Sequence, residues 1–402
     1  MWQILKQSNI DFMGQGRVLL PVSLALVALS VAVLVFNGFN LGIEFTGGTE
    51  LHVKYAETPR VGEIRGQLSA GGFGGAVVTT IGDAEDNEIY IRLATGGEQQ
   101  GSDPTTAVLN ILRGIPAGDQ RSTIDLNIDD ERTLAGLLAG APGLSRARAE
   151  EIAAELLQWR REGNIFSSFQ QLSAFSGLTP EGIDHLEANS EIGPLALRSQ
   201  SFIGPAVGRE LVEKALIAVV GSLIGMLIYI WIRFQLQWGM AAVAALVHDT
   251  LITLGLFSLF DQEMSLPVVA AFLTLIGYSV NDTVVVFDRI RENLAAFRSK
   301  ALADTVNLSI NQTLSRTIIT SGLTWLVVVC LLLFGGPALR PFSFVLTVGV
   351  AVGTYSSIFI AAPLVVLWQA ARDRRKTAAE GGVASDEAPA RKAKKIRRTK
   401  TI

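Results

Sequence analysis

The segment LIGYSVNDTVVVFDRIREN, Leu275 to Asn293, carries Asn281 and Asp282 inside a run of apolar and small residues long enough to cross a bilayer, and ends on Asp288 and Arg289. A second run, VAALVHDTLITLG, carries His248 and Asp249 in the same way. Placing an ionisable side chain at such depth costs about 2.5 to 3.5 kcal/mol, so it normally meets a partner or a wet cavity. The chemistry these residues could perform is proton uptake and release. A carboxylate beside a cation stays charged, and one that loses the cation in a dry place takes up a proton. Arg316, at the start of a later apolar run, is the candidate cation. Structural roles for the same residues are open: Asp282 as a helix-end cap, Asp249 bonded to Thr250 or Thr253, and Arg316 as a positive anchor at a helix end.

Helical rise places Asp282 about 8 Å and His248 about 14 Å from the ends of their runs. The short loop DQEMS makes the two runs antiparallel neighbours, so one polar pocket could hold both. No other constellation competes with this one. The phosphate-binding pattern GxxxxGK[ST] does not occur, and the three histidines, His52, His185 and His248, are scattered. An enzyme is therefore not expected, and neither a cofactor nor a metal. The single cysteine, Cys330, cannot form an intramolecular disulfide and does not assign a redox compartment.

The elements that must position these groups are membrane helices. Apolar residues make up 49% of the chain and charged residues 18%, yet the charges are segregated, as in spans that alternate with aqueous parts. Six segments approach the roughly 20 residues a span needs: about 18–36, 215–232, 239–260, 266–287, 318–334 and 342–368. The first lacks a small-residue cleavage site and reads as a retained anchor. Lys6, Arg17, Arg233, Arg289, Arg291, Arg298, Lys300 and Arg316 fall on one side, which the positive-inside rule makes cytoplasmic, together with both termini. Residues 289–315 repeat apolar side chains at helical spacing and predict an amphipathic helix along the cytoplasmic surface. The tail, 371–402, is basic and predicts a disordered segment attracted to anionic membrane lipid.

The long region after the first span holds two things. Strand patterns at Thr49–Ala56, Ala76–Asp83, Glu88–Ala94 and Pro194–Phe202, with helices near Val61–Ser69 and Thr105–Ile115, read as a β-α-β-β-α-β sandwich over 37–120 and 192–212. It is interrupted by a helical insert, 121–191, with an internal echo. APGLSRARAEEIAAELLQWRREG and FSGLTPEGIDHLEA each place Gly-Leu before a Ser or Thr that can cap the next helix. The echo looks like a tandem helix-hairpin-helix. Ser145 and Thr179 stand where DNA-holding versions usually have a second Gly, and glutamates dilute Arg146, Arg148, Arg160 and Arg161, so nucleic acid is not the expected partner.

Four motifs in order, GIEFTGGTE (Gly42 to Glu50), IGPAVGRELVEKAL (Ile203 to Leu216), ALVHDTLITLGLF and IGYSVNDTVVVFDRIREN, resemble the SecF family, the smaller membrane subunits of the SecDF complexes of bacterial protein export. The resemblance runs from about residue 15 to 370, apart from the insert. It implies an α-helical polytopic membrane protein of the resistance-nodulation-division type. Six transmembrane helices, in 1–36 and 213–370, would carry an external α+β ferredoxin-like domain interrupted by the small all-α module. It also implies an inner-membrane location with that domain periplasmic, and work alongside SecD, the SecYEG channel and a YajC-like subunit on unfolded preproteins, driven by the proton gradient. On the matching positions Asp282 would carry the proton and Arg316 would be its basic partner; from the reading of the spans themselves, His248, Asp249 and Asn281 join them in the expected proton-transport set. Gly42, Glu44, Gly47 and Gly48 would form a structural motif. A DNA-uptake receptor acting through the insert, or half of a small-molecule or lipid exporter, are the alternatives.

Overall fold

The computed structural model describes residues 9–81, 86–94, 104–115, 123–233, 236–372 and 374–375. Lys6, Arg121 and the tail from Lys376 lie outside the described residues. The chain divides into two compact units, Leu41–Leu216 and Met1–Asn40 with Ile217–Ile402.

The helix α1 (Phe12–Asn37), capped by the Asp11 carboxylate on the Gly14 N–H, leads through β1 (Asn40–Leu41) to the first of these units. There a single turn, α2 (Ile43–Thr46), precedes β2 (Gly48–Tyr55), α3 (Val61–Ala70), β3 (Val77–Ile81), β4 (Glu88–Ala94) and α4 (Thr105–Leu112). Leu51 and Val53 on β2 and Ile89 and Ile91 on β4 are fully buried at alternate positions, the period of two that gives a strand one covered face. Ile64 and Leu68 of α3, and Val108 and Leu112 of α4, lie four apart and close over that face.

The last strand of this sheet arrives only after a helical excursion: β5 (Ile124–Asp125), α5 (Glu131–Ala139), α6 (Arg146–Arg161), a 3₁₀ turn (Phe169–Ala174), α7 (Pro180–Asn189), β6 (Ser190–Glu191) and then β7 (Leu195–Ile203). The sheet order is β3-β4-β2-β7, antiparallel throughout. The excursion has its own core of Leu134, Leu138, Ile152, Leu156, Phe166, Leu172 and Leu186. Its entry and exit are clamped by the parallel pair β5–β6 and by Asn127, fully buried, whose side chain donates to the Phe166 and Gly193 carbonyls and accepts from the Phe166 N–H. The echo in the sequence has a common geometry. Ser145 caps α6 and Thr179 caps α7, each accepting from the N–H three residues on. Two of the four arginines weighed for nucleic acid are consumed internally: Arg148 donates to the Ser176 carbonyl, and buried Arg160 donates to the carbonyls of Leu126 and Asp129.

The remaining helices are α8 (Pro205–Arg233), α9 (Leu236–Leu259), α10 (Leu266–Ala296), α11 (Leu302–Phe334) and α12 (Gly336–Ser356), with the short strand β8 (Glu263–Met264) before α10. A π-type turn, Ser357–Ala361, follows α12, and helical backbone resumes to Arg372. Six helical segments among the described residues are long and apolar enough to cross a membrane, each extending past the expected bounds at one or both ends. α1 and α8 are apolar and largely exposed all round, as lipid-facing helices are, whereas α9, α10 and α12 are about half buried and form the inside of the bundle. α10 and α12 approach closely because Gly349 and Gly353 face Leu275 and Ser279. A Cβ at Gly349 would overlap the Leu275 side chain.

The expected surface helix over 289–315 is not formed. α10 continues to Ala296 and α11 begins at Leu302, so the segment is the ends of two long helices joined by a turn. Its apolar positions Ile290, Val306, Ile310 and Leu314 bury against each other and against Phe12, which satisfies the amphipathic face inside the protein instead of on lipid.

Candidate functional site

The charged residues of the spans occupy the inner helices. Asp249 on α9 is fully buried, and its carboxylate accepts three hydrogen bonds: from His248 Nδ1 at 2.9 Å, from the Ser279 hydroxyl on α10 at 2.6 Å and from the Ser356 hydroxyl on α12 at 2.6 Å. It therefore ties three helices together, and Ser356 makes its bond on the residue before the π-type turn. The carboxylate makes no bond to Thr250 or Thr253, the structural role the sequence left open. Those hydroxyls donate to the backbone carbonyls of Leu246 and Asp249, the usual resort of a threonine inside a helix. His248 stacks on Tyr355, whose hydroxyl pairs with Ser23 of α1, and its Nε2 has no hydrogen-bond partner among the described residues.

Asp282 lies one turn along α10 from Ser279, 3% exposed. The Ser321 hydroxyl of α11 donates to it at 2.7 Å. The Thr354 hydroxyl of α12 also faces it while donating to the Val350 carbonyl. His248 is held by its own neighbour Asp249, and the two carboxylates are served by different serines.

Two expected members stand apart. Arg316 lies well inside α11, exposed, and no ion pair within 4 Å joins it to Asp282, on which it acts only through space. Ser321 is five positions further on, so the stretch of α11 that reaches Asp282 presents a hydroxyl and not the guanidinium. Asn281 is exposed and makes no side-chain hydrogen bond among the described residues, because a step of one residue turns it away from the face that buries Asp282.

Sequence reasoning missed Ser279, Ser321, Thr354, Ser356 and Tyr355. Ser279 carried a usable signal, being three residues before Asp282 on one helix face. Nothing local marks Ser321 or Ser356, whose partners lie on other helices.

The glycine motif is a turn. Gly42 precedes α2, the Gly47 N–H closes it on the Ile43 carbonyl, and Gly48 at φ +147° opens β2 with its α-carbon so close to the Leu93 carbonyl that a Cβ would overlap it. Only glycine fits there. Glu44 sits in that turn half buried, and burial pushes its carboxyl up from the usual value.

Comparison with known proteins places these features in context. Residues 185–371 match the family described as "Protein export membrane protein SecD/SecF, C-terminal", and residues 32–58 match the "SecD/SecF GG Motif". A protein translocase subunit SecF from Koribacter versatilis is 40% identical over 95% of this chain and 97% of its own length. Another from Calditerrivibrio nitroreducens is 36% identical over 92% and 98%. The crystal structure of SecDF from Thermus thermophilus, a translocon-associated membrane protein, superposes with a TM-score of 0.62 at 31% identity, covering 92% of this chain. The present chain spans 40% of the length of that SecDF chain.

Proposed function

Because the chain belongs to the SecF family of SecD/SecF protein-export membrane proteins, we infer that it works as the smaller subunit of a SecDF-type complex, using the proton gradient to help draw preproteins across the membrane. SecD is the partner this reading names first, since the chain matches only part of a SecDF polypeptide. The SecYEG channel, a YajC-like subunit and unfolded preproteins complete the assembly. The membrane is the bacterial inner membrane, with both termini cytoplasmic and residues 37–212 periplasmic, in accord with the basic short loops. The four-stranded sheet with α3 and α4 is read as a ferredoxin-like domain and the helical excursion as a helix-hairpin-helix module used for packing or protein contact. The internal use of Arg148 and Arg160 argues against the DNA-receptor alternative.

The observation that carries the mechanism is a carboxylate, Asp282, buried inside the bundle with a hydroxyl, not a cation, against it. A group so placed can exchange a proton when the helices around it rearrange. Arg316 is its partner in the alternate arrangement, reached by a shift of α11 along α10. His248 and Asp249 support the path: the dyad fixes α9 to α10 and α12 and leaves His248 Nε2 open beside it. Asn281 has no part in this arrangement. One proton moving through a potential releases about 2.3 kcal/mol per 100 mV, roughly a fiftyfold bias per 100 mV on a step coupled to it.

Asp282→Asn tests this. Asparagine keeps the volume and the bond from Ser321 but cannot release a proton, so membrane insertion should survive while the gradient-dependent part of preprotein translocation into inverted vesicles disappears. Gradient-dependent export that persists in Asp282→Asn rejects the carrier role.

A further inference from the structure

Where α8 ends and α10 outruns its apolar stretch, beside the middle of α11, the membrane unit has a cavity of about 620 Å³ lined by Arg233, Arg289, Arg291, Arg316, Asp288 and Glu292. Arg233 donates to both oxygens of Asp288 at 2.6 and 2.8 Å, and Arg289 is spent on Glu292 at 2.6 Å and Gln312 at 2.7 Å. The two acids are thereby matched by two of the arginines. Arg291 and Arg316, both exposed, make no ion pair with any described residue, so the cavity holds two uncommitted guanidinium groups. A guanidinium presents a planar fork of N–H donors that fits phosphate oxygens two at a time. The depth of the cavity in the bilayer is marked by α8, whose last residues before Arg233, Trp231 and Ile232, are 71% and 78% exposed. An exposed tryptophan followed by arginine at the end of a span marks the headgroup layer.

We propose that this cavity binds a phosphate-bearing anion, the headgroup of an acidic phospholipid, through Arg291 and Arg316. Basic pockets between helices at the membrane surface hold such headgroups. Val285, one turn along α10 from Asp282, lines the same cavity, so the anion and Asp282 draw on Arg316 from two ends. The anion holds Arg316 outward, as it stands here, and its departure frees Arg316 for Asp282. This second clause rests on the proton-carrier reading, whereas the anion site does not.

The test is native mass spectrometry of the full chain in detergent, with phosphatidylglycerol offered against phosphatidylcholine of the same acyl chains. Phosphatidylglycerol is expected to be retained preferentially. Arg291→Gln combined with Arg316→Gln should weaken its retention roughly thirtyfold, for two arginines at the surface. Arg291→Lys should keep part of it, which separates loss of the site from loss of the fold. No preference in the parent chain, or a preference that survives the double change, overturns the site. Millimolar inorganic phosphate forms a second arm. Undisturbed lipid retention supports the headgroup, and displacement overturns the lipid in favour of free phosphate. Asp282→Asn removes the competing carboxylate charge and should strengthen phosphatidylglycerol retention severalfold. Unchanged retention there overturns the competition and leaves the anion site standing.

Discussion

Asp249 separates a fastening role from proton exchange. Asp249→Ala would leave three buried donors without their acceptor: His248 Nδ1 and the hydroxyls of Ser279 and Ser356. An orphaned buried donor costs about 1 to 3 kcal/mol. The hydroxyls can turn to a carbonyl one turn back, as Ser356 already does toward Gly353 at 3.1 Å, so the low end applies and the sum is about 3 kcal/mol. In units of 150 to 250 residues each kcal/mol moves the melting temperature by about 2 to 4 °C, which gives a fall of about 6 to 12 °C. Asp249→Asn keeps one oxygen as acceptor and offers an amide to a serine hydroxyl, so its cost should stay within about 1 kcal/mol. The assay is thermal unfolding of the detergent-solubilised chain by tryptophan fluorescence, with gradient-dependent export measured on the same variants. The expected result is a destabilised alanine variant and an asparagine variant that melts and exports like the parent. An alanine variant that melts like the parent refutes the fastening role. An asparagine variant that melts normally but no longer responds to the gradient makes Asp249 a proton carrier in its own right.

Two further outcomes concern the unit Leu41–Leu216. Asn127→Leu strips the Phe166 N–H and the Phe166 and Gly193 carbonyls of their partner. It should destabilise the junction of the helical insert by about 3 kcal/mol or more, seen as faster hydrogen exchange at Phe166 and Gly193. Asp130 caps α5, and the Thr133 hydroxyl and N–H hold its carboxyl below the usual range. Since the folded value is depressed, this stabilisation is present above the ordinary carboxylate value near 4 and is lost as pH falls through the lower folded value. Asp130→Ala should cost about 1 kcal/mol near neutral pH. The gap from the parent chain should close in melts taken well below pH 4.

Six membrane helices, their inner charged residues and the alternating strands were all legible in the chain, because hydrocarbon length and side-chain periodicity act locally and leave a local pattern. The caps at Ser145 and Thr179 were legible for the same reason: a capping hydroxyl bonds within its own helical turn. The family followed from four short motifs in order. What the tertiary structure decided is which polar groups meet. Asp282 rests on Ser321 and not on Arg316, and Asp249 gathers serines from two other helices. Those pairings depend on how α9, α10, α11 and α12 are rotated and offset against one another, which close contacts such as Gly349 on Leu275 fix. The fate of residues 289–315 was decided in the same way. An amphipathic pattern states only that one face must leave water, and the packing of Ile290, Val306 and Ile310 supplied protein where lipid would have satisfied the pattern equally well.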